Sequence, residues 1–137
     1  FYDSGKTKMI GVSNVSAEQL ALLCAKARHK PMVVQNRCYA AFGWDKEVRD
    51  LCRANQIIYQ GFSLLTANRE VFTEPDVRAM AVKYGTGLAQ IVFRFAMQIG
   101  MLPLTGTTNP EHMKEDLASD QFTLTAEELQ RIETIGL

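Results

Sequence analysis

The sequence carries no excess of either charge: 15 Lys and Arg balance 15 Asp and Glu over 137 residues. That balance argues against a nucleic-acid surface and against a polybasic membrane anchor, both of which need a cationic excess. No apolar run approaches the ~20 residues that a helix needs to cross a bilayer, so no membrane partner is expected. Cysteine is scarce. Cys24, Cys38 and Cys52 form neither an even disulfide set nor a close metal-ligand pair, and they read as reduced thiols of a cytoplasmic protein. No methionine precedes Phe1 and no signal peptide is recognisable. Phe1 to Lys6 read as the end of a helix and its turn, with Gly5 as the left-handed residue, so preceding sequence is expected. Linkers, low-complexity tracts and short-period repeats are also lacking.

What is present is an ordinary globular composition, 47% hydrophobic and 22% charged, in a length that fits one domain or part of a larger one. Short apolar runs alternate with helical patterns. Strands are expected near Lys8 to Ser13, Met32 to Gln35, Ile57 to Phe62 and Leu102 to Thr105. Ser16 to Gln19 form a capping box opening a helix to about Arg28, with Leu20, Leu23, Cys24 and Ala27 on one face. Asp45 is expected to cap a helix that buries Val48, Leu51 and Cys52. A loop from Ser63 to Thr73 leads to a helix opened by Pro75 and closed by Gly85, with Val77, Met80 and Ala81 inward. Thr86, Asn109 and Thr125 are expected to cap the last three helices. The strands are continuous rather than alternating apolar runs, as in a parallel sheet flanked by helices. Two α/β architectures fit: an open four-stranded sheet, or four consecutive units of an eight-stranded barrel. A complete barrel takes ~250 residues, so four units are about half of one.

Function gathers at the carboxyl ends of parallel strands. Those ends read Ser13-Asn14, Gln35-Asn36-Arg37, Phe62-Ser63 and Gly106-Thr107-Thr108. Their amides, hydroxyls and one aromatic face can grip an amide, a sugar and a phosphate and stack a flat ring. No proton-transfer pair is among them. In LPLTGTTNPEHMKEDL (Leu102 to Leu117) a Gly/Thr turn runs into a helix start. Asn109 caps it, and Pro110 takes the first helical position, where a missing N–H costs little. Such an N-terminus carries about half a positive charge and suits an anion.

The blocks GKTKMIGVSNVSAEQL, VVQNRCYA, IIYQGFSLLTANREV, YGTGLAQIVFRFAMQIG and LPLTGTTNPEHMKEDL resemble, in order, consecutive blocks of the aldo-keto reductases. The resemblance implies strands five to eight of a (β/α)8 barrel, a single partial domain over residues 1–137. It is the half that supplies most contacts to NADP or NAD. Ser13, Asn14 and Gln35 match positions that hold the nicotinamide carboxamide. Phe62 matches an aromatic position, often tyrosine, that stacks on the nicotinamide. Ser63 and Leu65 match a loop over the pyrophosphate, where the family often has Ser-Pro-Leu and this chain has Ser63-Leu64-Leu65. Gly106, Thr107 and Thr108 match the phosphate turn at the adenosine end. There many relatives carry lysine in place of Gly106 and arginine in place of His112. Glycine and histidine are weaker phosphate partners, which implies a relaxed or NADH-leaning cofactor choice. Glu115 and Asp116 match adenine contacts, Asp116 replacing a frequent asparagine. Trp44 matches a loop near the active site and is expected to form a substrate wall.

The family reduces carbonyls with an Asp, Tyr, Lys, His set on the first half of its barrel. Tyr39, Tyr59, Tyr84 and His29 are not expected to substitute for it, so this chain alone is expected to be inactive. The resemblance therefore implies a small carbonyl substrate for the complete protein. A non-catalytic or regulatory half-barrel that binds a dinucleotide beside a partner chain is the alternative. Either way the open edges predict a missing N-terminal half-barrel or self-association.

Overall fold

A computed structural model describes residues 1–137. Four strands, β1 (Gly11–Ser13), β2 (Val33–Arg37), β3 (Ile58–Phe62) and β4 (Met101–Pro103), form one sheet in the order of the chain. All three pairings are parallel. The helices are α1 (Ala17–Lys26), α2 (Lys46–Ala54), α3 (Pro75–Tyr84), α4 (Leu88–Gln98), α5 (Pro110–Leu117) and α6 (Ala126–Glu133). A doubly wound sheet reverses its strand order and takes helices on both faces. Here the order is sequential and one face is left open, the arrangement of half a (β/α)8 barrel.

Register assigns the two faces. Val12, Val34, Tyr59 and Met101 align across the sheet and pack into the core. The next row, Ser13, Gln35, Gln60 and Leu102, faces the other way, because side chains alternate along a strand. Ile58 and Leu102 are half exposed on that open face. The open face is thus mixed in polarity, with Ser13, Gln35, Arg37 and Gln60 among its apolar neighbours. At Gly61 the covering is tight: a Cβ there would lie 2.3 Å from the Met101 sulfur, so a larger residue needs that flexible side chain to move.

Locally encoded features match their expectations. Ser16 Oγ accepts from Gln19 N at 3.2 Å while Ser16 N donates to Gln19 Oε1 at 2.9 Å. Thr125 and Glu128 close the same box on α6. Gly5 has φ 70°, with Gly5 N on Tyr2 O and Lys6 N on Phe1 O, a Schellman turn. Strand bounds differ at the ends: β1 is confined to Gly11–Ser13 and β4 starts at Met101, because a strand lasts only as long as a neighbour pairs with it.

Two expected caps are corrected. Asp45 adopts φ 56° and makes no capping bond. Its carboxylate turns inward and accepts from Asn36 Nδ2 at 2.8 Å and from Tyr59 OH at 2.7 Å. Gly87, not Thr86, caps α4, because the Gln90 side chain reaches back to Gly87 N at 2.9 Å and also pairs with the Thr86 hydroxyl.

The α3–α6 contact is ionic as well as apolar. Lys83 Nζ donates to Glu128 Oε1 at 2.7 Å and Tyr84 OH to Oε2 at 2.6 Å. Burial by itself raises the Glu128 pKa, but the bonds from Lys83, Tyr84 and the Thr125 backbone outweigh it and hold the pKa at about 2. A carboxyl with a depressed folded pKa stabilises the fold above its unfolded value and loses that contribution as pH falls through the folded value. Stability is therefore expected to drop between about pH 4.5 and pH 2, and Glu128→Gln to flatten that drop. Urea melts across this window check both; an unchanged slope in the variant refutes the assignment.

Candidate cofactor site

The carboxyl ends of β1, β2 and β3 frame a cavity of about 530 Å³ lined by Asn14, Val15, Asn36, Arg37, Tyr39 and Phe62. Its geometry begins at the turn after β1. Asn14 sits in the left-handed region at φ 55°, which asparagine tolerates better than most residues. Its N–H donates to Gln35 O at 3.1 Å, and Ser13 Oγ donates to the same carbonyl at 2.7 Å. Asn36 then clamps the turn from β2: its Oδ1 accepts from Val15 N at 3.1 Å and its Nδ2 donates to Val15 O at 2.8 Å. The same Nδ2 also bonds Asp45, which holds Tyr59.

This buried Asn36–Asp45–Tyr59 chain is a support that the sequence reading missed. An asparagine on the buried face of an apolar strand is the signal that could have found it, since buried polar groups need partners. Burial drives the Tyr59 pKa far up, with Cys38 and the Asp45 carboxylate adding to it. Burial likewise pushes the Cys38 thiol to about 12, again with Asp45 adding. Tyr59 therefore stays protonated, pointed under the helices, while Tyr84 is tied to Glu128 and His29 to Asp3. None of the three is a free acid at the mouth.

On the open face, Gln35 Nε2 donates to Gln60 Oε1 at 3.1 Å, and the Phe62 ring lies 5.5 Å from the Arg37 guanidinium carbon. Ser13 and Gln35 are thus neighbours on β1 and β2, while Asn14 and Phe62 share the cavity at the strand ends. Ser63 follows at φ 58°, and Leu65 leans on the core. Asn68, a second missed residue, ties this loop down. It is entirely buried, accepts from Ala40 N at 2.6 Å and donates to Cys38 O and Leu64 O, each at 2.9 Å.

The turn after β4 stands apart from that cavity. Thr107 Oγ1 accepts from Asn109 N at 3.1 Å and Asn109 caps α5 through Glu111 N at 2.9 Å. Gly106, Thr108, His112 and Glu115 are exposed, and Asp116 accepts from Thr105 Oγ1 at 3.2 Å. A Cβ on Gly106 would meet nothing within 4 Å. Space therefore does not require glycine here, and a lysine would fit. On α5, Lys114 is paired with Glu111 at 3.2 Å, leaving Glu115 and Asp116 as uncompensated acids.

Trp44 is a correction. Expected at a substrate wall, it is entirely buried. Its Nε1 donates to Ile132 O at 2.9 Å and its ring centroid lies 5.0 Å from that of Phe95. A buried indole needs both apolar contact and an acceptor, and the interior under α4 and α6 supplies them where the mouth does not.

The strand-end cluster and the capped turn lie on a half-barrel, and residues 1–136 match the profile of the aldo/keto reductase family. The chain belongs to the aldo/keto reductase family. It is 32% identical over 146 residues to aldo-keto reductase family 1 member D1 of Oryctolagus cuniculus, covering 98% of this chain and 44% of that protein. It is 30% identical over 145 residues to the NADPH-dependent alpha-keto amide reductase of Saccharomyces cerevisiae, covering 99% and 46%. The crystal structure of Gox0644 in its apo form superposes with a TM-score of 0.88 at 26% identity, over 99% of this chain and 49% of that one. An aldo-keto reductase crystallised with NADPH shares the fold at a TM-score of 0.88 and 23% identity, over 99% of this chain and 45% of that one. The chain spans about half the length of these family members. No helix is long and apolar enough to cross a membrane.

Proposed function

We propose that this chain is the dinucleotide-binding half of an NAD(P)H-dependent reductase acting on aldehydes or ketones. The observation that carries the reading is that Ser13 and Gln35, paired in register, lie beside a strand-end cavity lined by Asn14 and Phe62. Asn14 and Gln35 offer both donors and acceptors, which a carboxamide needs. Phe62 offers a flat apolar face for a ring, and the turn at Gly106 to Thr108 offers a capped helix start for a phosphate. The bound dinucleotide supplies hydride to the carbonyl carbon. The role of this chain is to orient the ring and hold its two ends. The proton for the carbonyl oxygen has no donor among Tyr59, Tyr84 and His29, so an N-terminal half carrying the family's Asp, Tyr, Lys, His set completes the site. That half pairs along the free edges of β1 and β4, and this chain without it is inactive. Cys24, Cys38 and Cys52 are unpaired, which fits the cytoplasm.

The acid-rich α5, the absence of a cation at Gly106 and the exposed His112 support a relaxed or NADH-leaning choice, because a 2′-phosphate gains little there. Fluorescence titration of the complete protein is expected to give dissociation constants for NADH and NADPH within roughly tenfold of each other. Gly106→Lys is expected to tighten NADPH about tenfold and NADH far less, the size of one charge-assisted contact. Phe62→Ala is expected to weaken both about fivefold to tenfold through lost stacking. No binding of either dinucleotide refutes the proposed function; a hundredfold NADPH preference in the unmodified protein refutes the relaxed choice alone.

A further inference from the structure

We propose that Arg37 reads a carboxylate next to the reacting carbonyl, so that 2-oxo acids are the preferred substrate class. The inference rests on the reductase reading above and adds the specificity of that same site. Arg37 pairs in register with Phe62. It lies two residues beyond Gln35, one same-face step of about 6.5 Å toward the mouth. Arg37 therefore sits beside the Phe62 ring, one step nearer the mouth than Gln35, at the border between a stacked ring and an arriving substrate.

The guanidinium is exposed and has no acid partner within this chain. Its neighbours are the Phe62 ring at 5.5 Å and the Tyr39 hydroxyl at 3.5 Å. Cation–π contact at an exposed site is a weak restraint, so the fork is free to swing to an anion. The cavity around it contains Asn14, Val15, Asn36, Tyr39 and Phe62 and no acid. Asp45, close in sequence, is spent on Asn36 and Tyr59. An arginine in a mouth of neutral groups, without a carboxylate partner, is set to take one from a ligand, and its planar fork matches a carboxylate with two parallel bonds.

The cofactor's phosphates are the other source of an anion. The turn after β4 lies two strands from β2, about 10 Å across the sheet, whereas the loop matched to the pyrophosphate, Ser63 and Leu65, follows the adjacent β3, so dinucleotide affinity is read alongside turnover to separate the two anions.

The test uses the complete protein with pyruvate and its neutral isostere pyruvamide. Arg37→Gln is expected to lower kcat/KM for pyruvate about 10- to 100-fold, the range of a lost charged hydrogen bond, and for pyruvamide far less. Arg37→Lys is expected to fall between. Titration with oxamate in the presence of dinucleotide gives the same comparison without turnover, and oxamate affinity is expected to fall in parallel. Equal losses on both substrates, unchanged oxamate affinity, or a wild-type preference for pyruvamide overturn the assignment. So does a matching loss in dinucleotide affinity, which would identify the cofactor phosphates as the anion held. Failure to bind dinucleotide at all is distinct: it refutes the reductase reading, and this inference with it.

Discussion

Trp44→Ala is expected to destabilise the protein by about 3–5 kcal/mol, the usual range for deleting a buried large aromatic. The ring has no exposure, so truncation leaves a cavity between Phe95 and α6 that the backbone closes only in part. The bond from Nε1 to Ile132 O goes with it, and alanine must also adopt the residue's left-handed φ of 54°. The neighbouring clamp depends on the same backbone: Arg49 Nε donates to Trp44 O at 2.7 Å and its Nη2 to Glu133 at 2.6 Å. Losing Trp44 therefore loosens the seat of α6 as a whole. Trp44→Phe keeps most of the apolar contact and is expected to cost only about 1–2 kcal/mol. Urea unfolding with an unchanged m-value checks the pair. A loss below 1 kcal/mol for the alanine variant would show that Trp44 does not anchor α6 and would reopen a role at the mouth.

Asn68→Ala comes next, with an expected loss of about 2–4 kcal/mol. One buried amide satisfies three backbone groups from two loops: Ala40 N, Cys38 O and Leu64 O. Removing it strands all three away from water, at about 1–3 kcal/mol for an unmet group, with partial relief from repacking or an entering water. Asn68→Asp is the sharper variant, because it keeps the shape but sets a second oxygen against the Cys38 and Leu64 carbonyls. It is expected to destabilise at least as much as alanine. These loops follow β2 and β3 and carry Ser63 and Leu65, so dinucleotide affinity is expected to weaken along with stability. An Asp variant as stable as the parent would mean that the amide donors are not what holds the loops.

Both residues show where sequence reading stops. The resemblance puts Trp44 on a loop near the active site; only packing decides that its ring lies buried against Phe95 and Ile132. Asn68 lies in the stretch from Ser63 to Thr73 that the sequence marks only as a loop, since a lone asparagine there looks like any turn residue. Asp45 has the right residue type for a cap and the wrong geometry, because Asn36 and Tyr59, on β2 and β3, compete for its carboxylate. Arg37 was visible at a strand end, but its want of an acid partner depends on which residues the register brings beside it. The capping boxes at Ser16 and Thr125, by contrast, span four residues each and need no distant partner.

By itself the sequence determined the alternation of four short strands with helices, the helix starts at Ser16, Pro75, Asn109 and Thr125, the strand-end residues and, through five ordered blocks, the family. These are local or pattern properties, set by side-chain periodicity, backbone preference and hydrogen bonds within a turn. The one-sided, half-barrel arrangement of the helices follows the expectation from the resemblance, whereas tertiary structure alone decided that Asn36, Asp45 and Tyr59 brace the turn after β1. It also decided that Trp44 belongs to the core and that Arg37 faces the mouth without an acid. Each of these is a contact between residues distant in the chain, and its energy exists only after the register of the sheet has brought the partners together.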